Sequence, residues 1–367
     1  MPVRYDTDPR IVLTLDAGGT FLKFSAICGN RLIAGPIGIP SESHDLEKCL
    51  GNIVRGFESV RQSLPEPPSA ISFAFPGPTD YPAGIIGDLG NLPGFRGGVA
   101  LGPMLEDRFG IPVFINNDGD LFVYGEAIAG FLPYVNDLLE KAGSPKRYDN
   151  LFGITLGTGL GAGIVRRGEL FLGDNSAAAE AWLLRNKLDP SVNAEEGASI
   201  RAVRRVYAQK SGTPLENVPD PKTIYEIGMG HAAGDRAAAL EAFRHMGEVA
   251  GDVLAQALTL VDGLAVIGGG VAGAHALFMP ALVDAMNDVY RRGGNPLKRM
   301  IPRAFNLEDP QQREQFLKSE VRQVTVPGSN RRIPYDPLKR TGVGLSRLGT
   351  SEAVATGAYA YALSRLG

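Results

Sequence analysis

The chain has 367 residues, of which 44% are hydrophobic and 21% charged, and its 37 Lys and Arg against 40 Asp and Glu leave a formal net charge of -3. That length exceeds the roughly 250–300 residues at which one core divides, so two domains are expected, and the small charge makes no electrostatic case for nucleic acid. Two cysteines, Cys28 and Cys49, without a CxxC pair support neither a disulfide framework nor a cysteine zinc site, while the absence of a long apolar run or an apolar leader points to a cytoplasmic protein without a membrane partner.

In chain order, residues 11–16, 22–28 and 31–35 read as three strands with short turns. Residues 43–64 have helical spacing, with Leu46, Leu50, Ile53, Phe57 and Val60 on one apolar stripe. A strand at 69–75 ends at Pro76-Gly77-Pro78, and a loop carries Asn91-Leu92-Pro93-Gly94-Phe95. A short helix at 99–109 precedes a strand at 113–115 that runs into Asn116-Asn117-Asp118. The second half repeats the order: strands at 151–157, 161–166 and 168–172, helical segments over 197–260, and a strand at 264–267 opening into Gly268-Gly269-Gly270. A helix at 277–291, an irregular basic insertion at about 293–345 with a strand at 321–326, and a helix at 350–366 complete the chain. Mixed sheets covered by helices, twice over, define an α/β class. The boundary is placed near residue 120, giving lobes of 1–120 and 121–367, with the last helix able to pack back on the first lobe. The basic residues of the insertion are scattered among acidic ones, which reads as a solvated segment rather than a polyanion site.

One glycine-turn pattern occurs twice. Leu15-Asp16-Ala17-Gly18-Gly19-Thr20 follows the first strand, and Leu156-Gly157-Thr158-Gly159-Leu160-Gly161-Ala162-Gly163 follows the strand at 151–157. Glycine lets the backbone approach a ligand, and successive N–H groups with a threonine hydroxyl make a concavity for anions. The third element, Gly268 to Gly270, precedes a helix whose N-terminal amides could meet a ligand, and its glycines could leave a flat slot for a purine. Each turn alone is a common hairpin feature. Together they point to a polyphosphate held by Gly18, Gly19, Thr20, Gly157, Thr158, Gly159, Gly268, Gly269 and Gly270.

Asp16 suits a Mg²⁺-bound water, since Mg²⁺ takes oxygen ligands and keeps several waters; the bland alternative is an Asx turn. Lys23 could reach a phosphate but is read as projecting from the returning strand. Asp118 could accept the proton of a hydroxyl that attacks a γ-phosphate, a role kinases need; alternatively Asp118 or Asp120 only caps a helix. Asn91, Asn117 and Glu180 are candidate binders of a polyol. Glu126 is another, with solvent exposure an equal reading.

These motifs, with Ala177-Ala178-Ala179-Glu180 and Val266-Ile267-Gly268-Gly269-Gly270-Val271, resemble the ROK group of sugar kinases, repressors and open reading frames. That group lies within the actin-like ATPase and sugar-kinase superfamily. The resemblance covers nearly the whole chain. It implies two ribonuclease H-like lobes, each a mixed sheet flanked by helices, with a cleft that closes on ATP and a hexose or N-acetylhexosamine. It implies Asp118 as general base, Asn91, Asn117 and Glu180 as sugar contacts, and the glycine turns as phosphate and adenosine loops. Two features depart from the group: Leu183 stands where a histidine is usual, and no cysteine cluster follows. No structural zinc is therefore expected, sugar preference is left open, and Trp182 is read as filling the metal loop's space rather than stacking on sugar.

Three functions are weighed. A Mg·ATP-dependent sugar kinase leads. A catalytically weak sugar sensor or regulator is the rival, although a first strand near residue 11 leaves no room for a DNA-binding helix-turn-helix. A phosphotransferase or ATPase acting on a non-sugar acceptor is the third. The sequence leaves a homodimer open.

Overall fold

Apolar strand-forming runs punctuated by glycine turns and amphipathic helices build two α/β units in a computed structural model that describes residues 5–18, 20–77, 79–89 and 92–367. The first elements are β1 (Val12–Ala17), β2 (Phe21–Cys28), β3 (Arg31–Pro40), α1 (Leu46–Gln62) and β4 (Ala70–Ala74). The two-residue strands β5 (Thr79–Asp80) and β6 (Ile85–Ile86) precede α2 (Leu101–Phe109), β7 (Val113–Asn116), α3 (Asp118–Ile128) and α4 (Phe131–Lys141). Next come β8 (Asn150–Leu156), β9 (Leu160–Arg166), β10 (Glu169–Leu170), α5 (Ile200–Ser211), α6 (Pro221–Met229), α7 (Arg236–Val261), β11 (Leu264–Gly268) and α8 (His275–Met286). The chain ends with β12 (Val289–Arg292), β13 (Asn295–Lys298), β14 (Arg303–Asn306), α9 (Pro310–Leu317), β15 (Arg322–Thr325), β16 (Arg332–Tyr335), β17 (Arg340–Leu345) and α10 (Thr350–Leu366). Unit 1 comprises Met1–Ala129, Gly168–Ala179 and Leu348–Gly367; unit 2 comprises Gly130–Arg167 and Glu180–Arg347.

In unit 1 the strands neighbour in the order β3-β2-β1-β4-β7. β1 is antiparallel to β2 and parallel to β4, which is parallel to β7. Side chains alternate along a strand. Leu13 and Leu15 of β1 therefore join Phe24, Ile53, Phe57 and Phe73 in the core beneath α1, with Phe24 edge-on to Phe57 at 5.1 Å. Thr14 and Asp16 point to the other face, the side of α10. The Asp45 carboxylate caps α1 by accepting from the Lys48 N–H. Helix α10 packs on α3, β4 and β1 of this same unit. Gly125 and Gly357 bring the α3 and α10 backbones together: a Cβ on either would lie 2.0 Å from a carbonyl oxygen of the facing helix, that of Ala353 or Leu121.

Unit 2 repeats the scheme. Its strands neighbour as β9-β8-β11-β17-β14, with β8 and β9 antiparallel and the others parallel. The 26-residue α7, capped by Asp235, lies against α8, and a Cβ on its Gly247 or Gly251 would lie 2.2 Å from an α8 carbonyl oxygen, that of Phe278 or Leu282. Among the described residues no helix is long and apolar enough to cross a membrane.

Several elements differ from the sequence reading. The helix expected over 277–291 stops at Met286, because the chain turns at Asn287 and pairs 289–292 with 295–298 as an antiparallel ribbon. The insertion expected to be irregular over 293–345 holds that ribbon's second strand, two strands of the main sheet, α9 and a second ribbon. The strand read at 321–326 is β15, paired with β16 alone. The strand read at 168–172 shrinks to Glu169–Leu170.

Candidate functional site

In unit 1, β1, β4 and β7 run parallel, so their carboxyl ends share one edge, where open α/β sheets bind ligands. Asp16 lies at the end of β1, and Asp118 opens α3 directly after β7. Both carboxylates line one cavity of about 450 Å³, together with Lys23 and Ser25 of β2 and Thr350 and Ser351 at the start of α10. The Asp16 side chain is 72% exposed, and its ion pair with Lys23 is loose at 3.9 Å. Such a pair is weak in water, so the Asp16 oxygens are accessible to a cation. Lys23 does not project away; it leans towards that carboxylate.

Asp118 is accessible yet set deep in the protein. Desolvation raises its pKa above the ordinary carboxylate value, opposed by the backbone N–H groups of Gly119 and of Asp118 itself. Its Oδ1 accepts from the Gly119 N–H at 2.9 Å. The helix cap proper is Asn117, whose side-chain Oδ1 accepts from the same N–H at 2.8 Å. The Asn117 amide donates to the Tyr81 hydroxyl at 3.3 Å, and that hydroxyl donates to the Phe75 carbonyl at 3.1 Å. Burial pushes the Tyr81 pKa up to about 12, so it stays a neutral hydroxyl that fixes the Asn117 rotamer. Asn117 thus holds the cap position of α3, and Asp118 shares the Gly119 N–H with it.

The first glycine turn is tight. The Gly18 N–H donates to the Phe21 carbonyl at 3.0 Å, and a Cβ on Gly18 would sit 2.7 Å from that oxygen. Thr20 is exposed, its carbonyl receiving the Ser41 N–H at 3.0 Å. Two expected site residues, Gly19 and Asn91, lie outside the described residues.

In unit 2, β8 and β11 are adjacent and parallel, with Gly268 opposite Thr155. That register sets the second and third glycine elements side by side. The Val271 N–H donates to the Leu156 carbonyl at 3.1 Å, and the Gly157 N–H closes its own turn on the Gly159 carbonyl at 3.0 Å. Gly269 has φ +88 and would place a Cβ 2.2 Å from the Leu156 oxygen, so only glycine fits. Gly157 and Gly270 differ: a Cβ there would meet nothing within 4 Å. The fold does not require glycine at either position; close approach by a ligand would.

Two residues that sequence reasoning missed hold this loop. Glu195 Oε2 accepts from the Leu160 N–H at 3.0 Å, while its Oε1 pairs with Arg201 Nη2 at 2.7 Å. Arg201 also donates to the Thr158 carbonyl at 3.1 Å. No periodicity marks these positions, because they reach the turn from some 40 residues further along the chain. Glu180 is exposed and accepts a hydrogen bond from the Trp182 indole N–H. Trp182 is half-buried, and Leu183 is 58% exposed. Glu126, an alternative hydroxyl binder, is instead fully buried and accepts from the Leu348 N–H at 3.1 Å, tying α3 to the start of α10. Among the described residues no group of three or more His, Cys, Asp or Glu is arranged to hold a metal.

The sequence profile of the ROK family matches residues 12–309. The crystal structure of a glucokinase from Parabacteroides distasonis is 54% identical, covers 99% of each chain and superposes with a TM-score of 0.91. An N-acetyl-D-glucosamine kinase from Photobacterium profundum is 26% identical over 283 residues, 72% of this chain and 85% of that protein. A ROK family glucokinase from Streptomyces griseus, solved with glucose and AMPPNP, shares the fold at a TM-score of 0.58 and 20% identity, over 98% of this chain and 99% of that one.

Proposed function

Because the chain belongs to the ROK family, we propose that this carbohydrate kinase transfers the γ-phosphate of ATP to a hydroxyl of a hexose or N-acetylhexosamine in the cytoplasm, with Asp118 as general base. One observation carries the reading: Asp16 and Asp118, from two parallel strand ends, line a single cavity. Phosphoryl transfer asks little covalent chemistry of a protein, so a base for the acceptor and a carboxylate for the metal go far towards the requirement.

The acceptor hydroxyl gives its proton to Asp118 as its oxygen attacks. Asp118 is confined by the Gly119 N–H, and its raised proton affinity makes it a better base than a solvated carboxylate. Asn117 and Glu180 bind sugar hydroxyls in this reading, as does Asn91. The Asn117 amide is already held by Tyr81 and Gly119, which supplies it in one orientation. The Glu180 carboxylate engages one oxygen with Trp182 and keeps acceptor capacity for a hydroxyl.

Gly18, Gly19, Thr20, Gly157, Thr158 and Gly159 cradle phosphates, and Gly268 to Gly270 take the adenosine. Asp16 fits Mg²⁺ because its carboxylate is exposed and weakly paired, and because Mg²⁺ sites often use one or two carboxylates plus substrate phosphates and waters. Bound with the nucleotide, the metal supplies charge neutralisation on the phosphates.

Two glycine substitutions separate folding from nucleotide binding. Gly270→Ala adds a methyl in open space, so the melting temperature should hold while KM for ATP rises. Gly269→Ala strains a left-handed backbone against the Leu156 carbonyl, so melting should fall by the equivalent of about 1–3 kcal/mol. Thermal melts and ATP titrations at saturating sugar check both; an unchanged KM in Gly270→Ala removes the adenosine role from this turn.

The function itself is tested by ADP release with Mg·ATP across hexoses and N-acetylhexosamines. Sugar-dependent release is expected. Silence with every sugar, combined with sugar-induced thermal stabilisation, would replace the kinase by a sugar sensor. Silence in both assays would point to a different acceptor.

A further inference from the structure

The third glycine turn runs into α8 through a stretch almost without side chains. From Gly268 to Ala276 the chain reads Gly-Gly-Gly-Val-Ala-Gly-Ala-His-Ala. Val271 is buried, and His275 is the only side chain of that stretch able to make a hydrogen bond. A Cβ at Gly270 or Gly273 would meet nothing within 4 Å, so this surface is bare although packing does not require it. A bare surface accepts a flat ring. It cannot by itself tell one base from another.

A 3₁₀ turn at Ala272–Ala274 sets His275 over the same surface. The Ala272 N–H donates to the Gly269 carbonyl at 3.1 Å, and the His275 N–H donates to the Ala272 carbonyl. Residues three apart eclipse one another in such a turn. Gly269, Ala272 and His275 therefore form one ridge, with His275 at its far end, about 6 Å beyond Ala272 at the rise of a 3₁₀ turn. The histidine is half-buried, and its Nδ1 is shielded from solvent without a hydrogen-bond partner among the described residues. A shielded nitrogen left unpaired costs the fold free energy until a ligand completes it. With the ring proton on Nε2, Nδ1 is an acceptor.

Adenine presents a donor at position 6, its amino group, where hypoxanthine and guanine present a carbonyl oxygen. An acceptor pairs with the amine, whereas the same acceptor facing a carbonyl opposes two lone pairs, and such a mismatch is what discriminates between ligands. We propose, on the reading that Gly268 to Gly270 take the adenosine, that His275 determines the choice of base, its Nδ1 accepting from the 6-amino group of adenine.

Calorimetric titration of the full chain with Mg·ADP and with Mg·IDP, in the absence of sugar, tests this. Wild type is expected to bind ADP about tenfold more tightly than IDP, the worth of one buried hydrogen bond and its mismatch. His275→Phe keeps a ring of similar size without the acceptor, and should reduce the ratio to about twofold or less by weakening ADP. His275→Ala should do the same without adding bulk beside α8, and thermal melts confirm that each variant is folded. His275→Gln accepts through its amide oxygen and should restore part of the preference. At saturating sugar, KM for ATP against ITP should follow the same ratios. Equal affinities in wild type overturn the assignment, as does a preference that neither His275→Phe nor His275→Ala reduces. Gly270→Ala should weaken both nucleotides alike. If it weakens neither, the adenosine reading of the turn fails and takes the base contact with it, whereas an unmoved ADP-to-IDP ratio in the His275 variants removes the base contact alone.

Discussion

Asp118→Asn is expected to lower kcat by about 10²–10⁴-fold, the range a positioned general base supplies, while leaving sugar binding nearly intact. The substitution keeps size and the Oδ1 that accepts from the Gly119 N–H, so the turn into α3 should survive. What disappears is proton affinity. Two pH experiments separate this from a structural defect. In wild type, activity requires the ionised carboxylate, so kcat/KM should fall as pH drops through the Asp118 pKa, which desolvation sets above the ordinary value of 3.8. The residual activity of the variant should lack that limb.

Stability should move the other way. A carboxyl whose native pKa is raised binds protons more readily folded than unfolded. Its contribution is therefore complete below the ordinary value and is lost as pH rises through the native one. Near neutrality the charged Asp118 costs the fold stability, and an amide does not. Asp118→Asn should melt at or above the wild-type temperature at neutral pH, with the gap closing in acid. An enzyme that turns over at near-normal rate with asparagine there would remove Asp118 from the chemistry. A variant that melts well below wild type would make it a structural residue.

The parts of this fold that could be read from sequence are those where local chemistry and tertiary role coincide. β1, β8 and β11 are apolar runs with glycine at or just beyond their ends, and such a run needs no distant partner to be recognised. The carboxyl ends of these strands then deliver Asp16, Gly157 and Gly268 in the order the sequence shows. β14 and β17 escaped notice because Arg303–Asn306 and Arg340–Leu345 carry arginine, threonine and glycine in runs of four and six. Their strand character comes from pairing with each other and with β11. Likewise, nothing local distinguishes Glu126 from an exposed helical glutamate. Its burial depends on the Leu348 N–H, more than 200 residues away. Glu195 and Arg201 illustrate the same limit at the site, since both act on a turn formed by a different stretch of chain. Sequence places the donors and acceptors of a turn well, but side chains that return to it from elsewhere are set by topology.

The largest expected loss of stability lies in the crossing of α3 and α10. In Gly125→Ala or Gly357→Ala the new methyl would be centred 2.0 Å from a backbone carbonyl of the facing helix. A backbone oxygen cannot rotate aside as a side chain can, so the helices must separate. Overpacking a core ordinarily costs about 1–3 kcal/mol, and a clash with main chain at this distance should reach or exceed the upper end. The displacement would not stay local. α3 begins with Asp118, α10 begins at the Thr350 and Ser351 that line the same cavity, and Glu126, near the far end of α3, ties that helix to the start of α10 through the Leu348 N–H. Both alanine variants should therefore lose activity along with stability. Gly51→Ala in α1 is the control: it is a helix-interior glycine whose Cβ would meet nothing within 4 Å. Alanine there should stabilise by about 0.5–1 kcal/mol through helix propensity. Denaturant melts of the three variants give the comparison. If Gly125→Ala and Gly357→Ala melt like wild type, the two helices do not approach at these glycines, and the cavity that holds Asp16 and Asp118 is framed differently.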